Sequence, residues 1–328
     1  MSIQTHSKHI NRQQLGHIML FTSIACSSLA HAEEGGSGHY MPGSMASSID
    51  GVPATETVIA RINYLTYSGS FDKDVVVPIA GLAATEVDVE SQALGLTLLW
   101  RPPVEFAKGW SYAMSTTIPY VTIDVTASVS DVSKSIGARK SSSVSGIGDI
   151  ILMPLMLNYT ITPELNTNFR ISAYAPTGNY EVGRLANTGK NFWSFEPTAS
   201  LIYLSPKTGR EFSTYGGITF NQTNSATDYK SGNQAHIEST FIQHLPMFGG
   251  VAGFGATAFW YQQISGDSGS GAKYGDFKAR SIGGGPTLFY SAKTGNTDIV
   301  AELKWLHEFD TNRRAKGDTI FFKILAKF

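Results

Sequence analysis

Several stretches of this chain alternate apolar and polar residues with a strict period of two. Leu165, Thr167, Phe169, Ile171 and Ala173 alternate with Asn166, Asn168, Arg170 and Ser172. Phe195, Pro197, Ala199, Leu201 and Tyr203 alternate with Ser194, Glu196, Thr198 and Ser200. The same holds near residues 211–220, 234–241 and 298–305. In an extended chain successive side chains point to opposite faces, so each stretch reads as a strand with one apolar and one polar face. No later stretch has the 18 consecutive apolar residues of a membrane helix.

A soluble sandwich gives the same alternation, with the apolar face inward. Length and loop phase favour the inverse, with the apolar face toward lipid and the polar face toward a lumen. About 12 strands are expected, near 57–68, 86–100, 109–125, 146–159, 165–176, 192–204, 210–222, 233–244, 249–264, 275–290, 297–309 and 319–328. Many have ten or more residues, as a tilted membrane strand needs. Short connections, such as Thr160–Glu164 and Ser205–Gly209, alternate with long ones, such as 126–145 and 177–191. The last, Asp310–Asp318, is intermediate. Short turns on one side and long loops on the other fit an all-β antiparallel transmembrane barrel whose two ends lie on the short-turn, periplasmic side.

Both ends of the chain fit secretion to an outer membrane. Residues 1–32 read as a signal peptide: Lys8 and Arg12, an apolar core from Ile18 to Ala25, and Ala30-His31-Ala32 as the cleavage site. The single cysteine, Cys26, falls inside it, so the mature chain is expected to have no disulfide, thiolate metal site or cysteine nucleophile. Charged residues make up only 16% of the chain, with a formal net charge of −1. Cleavage removes two basic residues and no acid, so no basic excess is left for nucleic acid. The final strand alternates Ile320, Phe322, Ile324, Ala326 and Phe328 with Lys323 and Lys327, and ends on an aromatic. Such an ending resembles the sorting signal read by the barrel-assembly machinery. Trp100, Trp110, Tyr159, Trp260, Tyr261, Tyr290 and Trp305 stand near strand ends, where interfacial girdles are expected.

The polar faces carry charge of both signs. Arg61, Asp149, Arg170, Glu196, Glu211, His236, Glu238, Lys278, Arg280, Glu302 and Lys304 are the candidate lumen-lining residues, with Glu90 and Lys323 on the same kind of face. Side chains meet across so narrow a lumen, so they either brace the interior or line a solute path. The segment from Glu33 to Glu56 is rich in Gly, Ser and Pro and lacks periodicity. It reads either as a tail without regular structure or as a plug folded into the periplasmic mouth. Gly266-Asp-Ser-Gly269 looks like a protease nucleophile segment, but Ser270 follows it and no matching histidine segment precedes it. The run Ser265–Gly275, with Asp267 and Asp276, is a weak cation candidate. His236, His244 and His307 are not spaced to pair with a nucleophile. No catalytic residue, cofactor or metal ligand is therefore assigned, and the chain is not expected to be an enzyme.

Gly38-His-Tyr-Met-Pro-Gly43, Gly148-Asp149, Tyr174-Ala-Pro-Thr-Gly178, Trp193-Ser-Phe-Glu-Pro197, Gln243-His-Leu-Pro246, Tyr261-Gln-Gln-Ile-Ser-Gly-Asp-Ser-Gly269 and Lys304-Trp-Leu-His-Glu-Phe309 carry a family resemblance over most of the chain. The chain resembles the phenol meta-pathway degradation family of outer-membrane proteins. That resemblance implies a barrel that helps aromatic or other hydrophobic small molecules enter the cell, in contact with outer-membrane lipid. The alternative is a structural or adhesion barrel whose external loops bind partners.

Overall fold

The computed structural model describes residues 34–104, 107–131, 134–273 and 278–327. The expected signal peptide, Cys26, Asp276 and Phe328 lie outside them. Fourteen strands follow in chain order: β1 (Thr57–Ser70), β2 (Val77–Ile79), β3 (Leu82–Arg101), β4 (Trp110–Asp131), β5 (Lys134–Ile147), β6 (Ile150–Thr162), β7 (Leu165–Ala175), β8 (Ser194–Leu204), β9 (Arg210–Asn221), β10 (Gln234–Met247), β11 (Gly250–Gln263), β12 (Arg280–Thr294), β13 (Thr297–Asn312) and β14 (Lys316–Lys327).

Twelve of these strands close an antiparallel barrel. β1 pairs with both β14 and β3, β3 pairs with β4, β4 with β6, and each later strand with the next. Closure leaves the barrel without a free edge, which a lipid-embedded sheet requires. The even strand number puts the start of β1 beside the end of β14, with Ile59 opposite Lys327. One barrel end carries short turns, such as the Pro163–Glu164 link; the other carries the long connections 176–193, 222–233 and 264–279.

The partition of side chains is inverted relative to a soluble protein. On β3, Leu94, Leu96, Leu98 and Trp100 are each about half exposed, whereas Thr97 between them is buried. On β13, Leu303 and Trp305 face out, while Glu302 and Lys304 are almost fully enclosed. An apolar outer face over a polar interior is stable only when the surrounding medium is hydrocarbon. Leu96→Arg is therefore expected to destabilise the barrel by about 2–4 kcal/mol. Equilibrium urea unfolding in lipid vesicles reads this; a change indistinguishable from zero would place Leu96 outside the lipid band.

Two strands lie outside the expected set. β2 is a three-residue strand hydrogen-bonded to β3. β5 occupies most of the stretch 126–145 expected to be a loop, paired with the half of β4 from Tyr120 to Asp131. Its sequence, Lys-Ser-Ile-Gly-Ala-Arg-Lys-Ser-Ser-Ser-Val-Ser-Gly-Ile, has turn composition and no strong alternation of its own. What orders it is its neighbour: Thr122 and Ser145 hydroxyls lie 2.9 Å apart, as do Thr126 and Ser141. The inner face of β4, with Val125, Ala127 and Val129, packs with Val77, Ile79 and Leu185 into an apolar cap at the long-loop end. The link between β13 and β14 is also shorter than expected. Only Arg313–Ala315 separate them, because both strands run beyond the lipid-facing stretch.

Candidate functional site: a plugged lumen

Residues 34–56 thread the whole barrel rather than only one mouth. At the short-turn end, Lys327 Nζ donates to Thr55 Oγ1 (3.1 Å). At the long-loop end the Glu34 carboxylate accepts from Asn224 Nδ2 (2.9 Å), Thr227 Oγ1 (2.9 Å) and the Tyr180 hydroxyl (2.7 Å). Burial, then the Glu34 charge, pushes the Tyr180 pKa far up, so this hydroxyl remains a donor. Two glycines allow the segment to fit. A Cβ on Gly38 would lie 2.5 Å from Gln234 Oε1. Gly43 has φ of 85°, and a Cβ there would meet Leu306 Cδ1 at 2.1 Å.

Polar side chains of the wall hold this plug along its length. His39 Nδ1 lies 2.7 Å from Ser194 Oγ, and its Nε2 lies 2.8 Å from Asp149, with the ring stacked on Tyr174 at 5.0 Å. The Tyr40 hydroxyl donates to Glu238, its ring stacks on His236 at 3.6 Å, and the Met45 amide donates to the other Glu238 oxygen (3.0 Å). Lys304 Nζ donates to the Met45 carbonyl (2.5 Å). Glu211 accepts from the Ser48 amide (2.6 Å) and hydroxyl (2.7 Å) and is itself held by His244 Nε2 (2.8 Å). Asp50 pairs with Lys323 (2.7 Å) and Arg61 (2.9 Å), and its backbone carbonyl accepts from Arg170 Nη2 (2.9 Å). Burying a charge is costly unless it is paired or hydrogen-bonded, and here the plug supplies carboxylate, amide, hydroxyl or carbonyl partners to the charged side chains of the wall.

Most of the candidate residues point inside. Arg61, Arg170, Glu211, Glu238 and Lys304 touch the plug directly, and Asp149 grips it through His39 from the Gly148–Asp149 break between β5 and β6. Glu196 is buried with its carboxylate 2.6 Å from Thr219 Oγ1 and 3.6 Å from His236 Nε2. Glu302 is enclosed between Lys304 (3.4 Å) and Lys323 (3.5 Å). Two candidates and one companion are corrected. Arg280 shares the outer face of β12 with Ile282 and pairs with exposed Asp310 (2.7 Å). Lys278 is exposed and precedes the strand. Glu90 faces outward on β3. All three lie toward the long-loop end, where the outer face meets water and polar residues occupy both faces, so alternation no longer tells in from out. Tyr261 is corrected in the opposite sense: it is fully buried in the lumen beneath the Arg314 guanidinium, not in a girdle. Asp267 accepts from the Tyr229 hydroxyl (2.5 Å), the Gly232 amide (2.8 Å) and Gln263 Nε2 (2.7 Å), so its carboxylate ties the 229–232 segment to the 264–267 segment.

His39, Tyr40 and Asp50 are site residues that lie outside the alternating stretches of the sequence. Periodicity offers no handle on them. The available signal was chemical: a short acid- and histidine-bearing segment preceding strands whose enclosed faces carry Lys and Arg.

Among the cavities that touch the plug, two lie against β1, β3 and β4 together. The first, about 140 Å³, lies toward the long-loop end against Tyr67 of β1, Val89 of β3 and Ile123 of β4, with Met41 of the plug. The second, about 220 Å³, lies against Leu65 of β1, Ala93 of β3 and Pro119 of β4, with Ser44 and Met45 of the plug. Between them stands the plug turn closed by the Ser44 amide on the Met41 carbonyl (3.1 Å). The β1, β3 and β4 wall is thus largely apolar, whereas Glu196, Glu211, His236 and Glu238 gather on β8–β10.

A closed twelve-stranded barrel, apolar outside and filled by its own N-terminal segment, is a transmembrane barrel of the outer-membrane type. The chain belongs to the family described as "Putative MetA-pathway of phenol degradation", whose profile matches residues 68–324 and so begins after the plug. Its fold is shared with the COG4313 outer membrane channel from Pseudomonas putida F1, at 15% identity and a TM-score of 0.64, over 88% of this chain and 100% of that one. A Pseudomonas aeruginosa FadL homologue aligns at 8% identity and a TM-score of 0.43, over 83% of this chain and 90% of that one. Comparison with curated proteins gives no match.

Proposed function

We propose that this barrel sits in the outer membrane of a Gram-negative bacterium, long loops outward and short turns in the periplasm, and passes small hydrophobic or aromatic compounds into the cell. The observation that carries this reading is the pair of cavities in series along β1, β3 and β4, each with a mainly apolar lining and separated by the plug turn Met41–Ser44. An apolar solute gains little from a wide aqueous pore; it needs apolar surface to step along. A polar network, most of it on the other walls, holds the plug in place and leaves much of that apolar surface free. Secretion by the N-terminal segment 1–32 and insertion by the barrel-assembly machinery, guided by the alternating β14, complete the reading. The expected result is faster uptake of radiolabelled toluene or phenol, at limiting concentration, by cells that carry the protein than by cells that lack it. Equal rates would overturn the proposal.

A further inference from the structure

We propose that the cavity beside the plug is a binding site for small aromatic monocarboxylates, with Arg170 as the anion anchor. The inference rests on the reading of the lumen as a solute path and narrows its substrate class. Arg170 on β7 is 2% exposed and lines the cavity. Its Nε donates to Asn168 Oδ1 (2.8 Å) and its Nη2 to the Asp50 backbone carbonyl (2.9 Å). Its Nη1 meets only the thioether sulfur of Met45, at 4.0 Å, and the Tyr215 ring lies 5.1 Å from the guanidinium carbon. Among the described residues no carboxylate comes within ion-pairing distance of it. The direct partners of this enclosed guanidinium are all neutral, and a carboxylate is the group that matches its planar fork of N–H donors.

The rest of the lining points the same way. Arg61 and Lys323 also face the cavity, and both lean on the one carboxylate in its wall, Asp50. Lys323 reaches Glu302 as well (3.5 Å), and Glu302 is shared with Lys304. The cavity wall therefore has three cations to one acid. Away from these charges the lining is mainly apolar, with Leu65, Pro119, Met153 and Met156 beside the polar Asn63 and Thr117. Its volume of about 220 Å³ exceeds the roughly 150 Å³ of an apolar protein cavity that holds benzene. One ring fits against the methionines and Pro119, with its carboxylate turned to Arg170. A neutral ring compound of the same size enters the same apolar space and leaves the guanidinium unmatched.

Equilibrium dialysis of the refolded full chain in detergent micelles, with radiolabelled benzoate and with benzyl alcohol as the neutral near-isostere, tests this. Benzoate is expected to bind about tenfold or more tightly than benzyl alcohol. Arg170→Gln is expected to remove that preference, read as the ratio of benzoate to benzyl alcohol binding in the same variant, and Arg170→Lys, which keeps charge but not the fork, to restore part of it. Heat-modifiable gel mobility verifies that each variant is a closed barrel. Equal binding of the two compounds by the native chain overturns the inference, and that comparison stands even where a variant fails to fold. Benzoate binding unchanged in folded Arg170→Gln overturns it too. Cells that still take up toluene while the protein shows no benzoate preference would leave the passage reading standing and reject the acid site alone.

Discussion

Deleting residues 34–52 is expected to raise single-channel conductance in planar bilayers several-fold while leaving the barrel closed and heat-modifiable. The barrel owes its closure to a continuous ladder from β1 round to β14, and none of those backbone hydrogen bonds involves the plug. The plug in turn fills the lumen from the Glu34 contacts with Asn224 and Thr227 to the Thr55 contact with Lys327. Removing it exchanges protein for water against Glu211, Glu238, Arg170 and Lys304. These groups are charged and hydrate readily, so their loss of plug partners is offset by solvent rather than left as a penalty. Unchanged conductance would mean that the ion path runs elsewhere or that loops at the long-loop end close it.

Asp50→Ala is the larger test of stability. It keeps the length of the plug but leaves Arg61 and Lys323 facing a methyl group, with only Glu302 at 3.5 Å to answer Lys323. Removing one partner of a buried ion pair costs about 3–5 kcal/mol, because the remaining charge stays desolvated. The expected outcome is a loss of that size in urea unfolding, or an equivalent release of the plug seen as rapid proteolysis within residues 34–52. Asp50→Asn keeps an acceptor for both cations and is expected to cost less. A loss below about 1 kcal/mol, typical of an exposed pair, with the plug still protected, would show that Asp50 is not the latch.

The segments that carry the family resemblance converge on the plug. Gly38 and Gly43 shape its path; His39 is held by Asp149, Tyr174 and Ser194; His244 holds Glu211, which holds Ser48; Lys304 holds Met45. In sequence these motifs are scattered over more than 250 positions, from Gly38 to Lys304. Their common purpose is invisible until the barrel brings β7, β8, β10 and β13 around one axis.

The sequence by itself determined the barrel. Strict alternation, strand length and the phase of short and long connections are local or additive properties, and together they specify an even-stranded closed sheet with its apolar face outward. They also placed Arg61, Arg170, Glu211, Glu238, Glu302 and Lys304 on the enclosed face, because in a strand parity alone decides the side. Tertiary structure decided the rest. Parity stops being informative beyond the lipid-facing band, where both faces meet water; Arg280 and Glu90 turned outward there and β5 formed on a Ser-rich sequence. The plug has no period at all, so its course through the lumen is set by long-range pairs such as Asp50 with Lys323 and His39 with Asp149. Those pairs form because a carboxylate enclosed away from water is costly until it finds a cation or a hydrogen-bond donor.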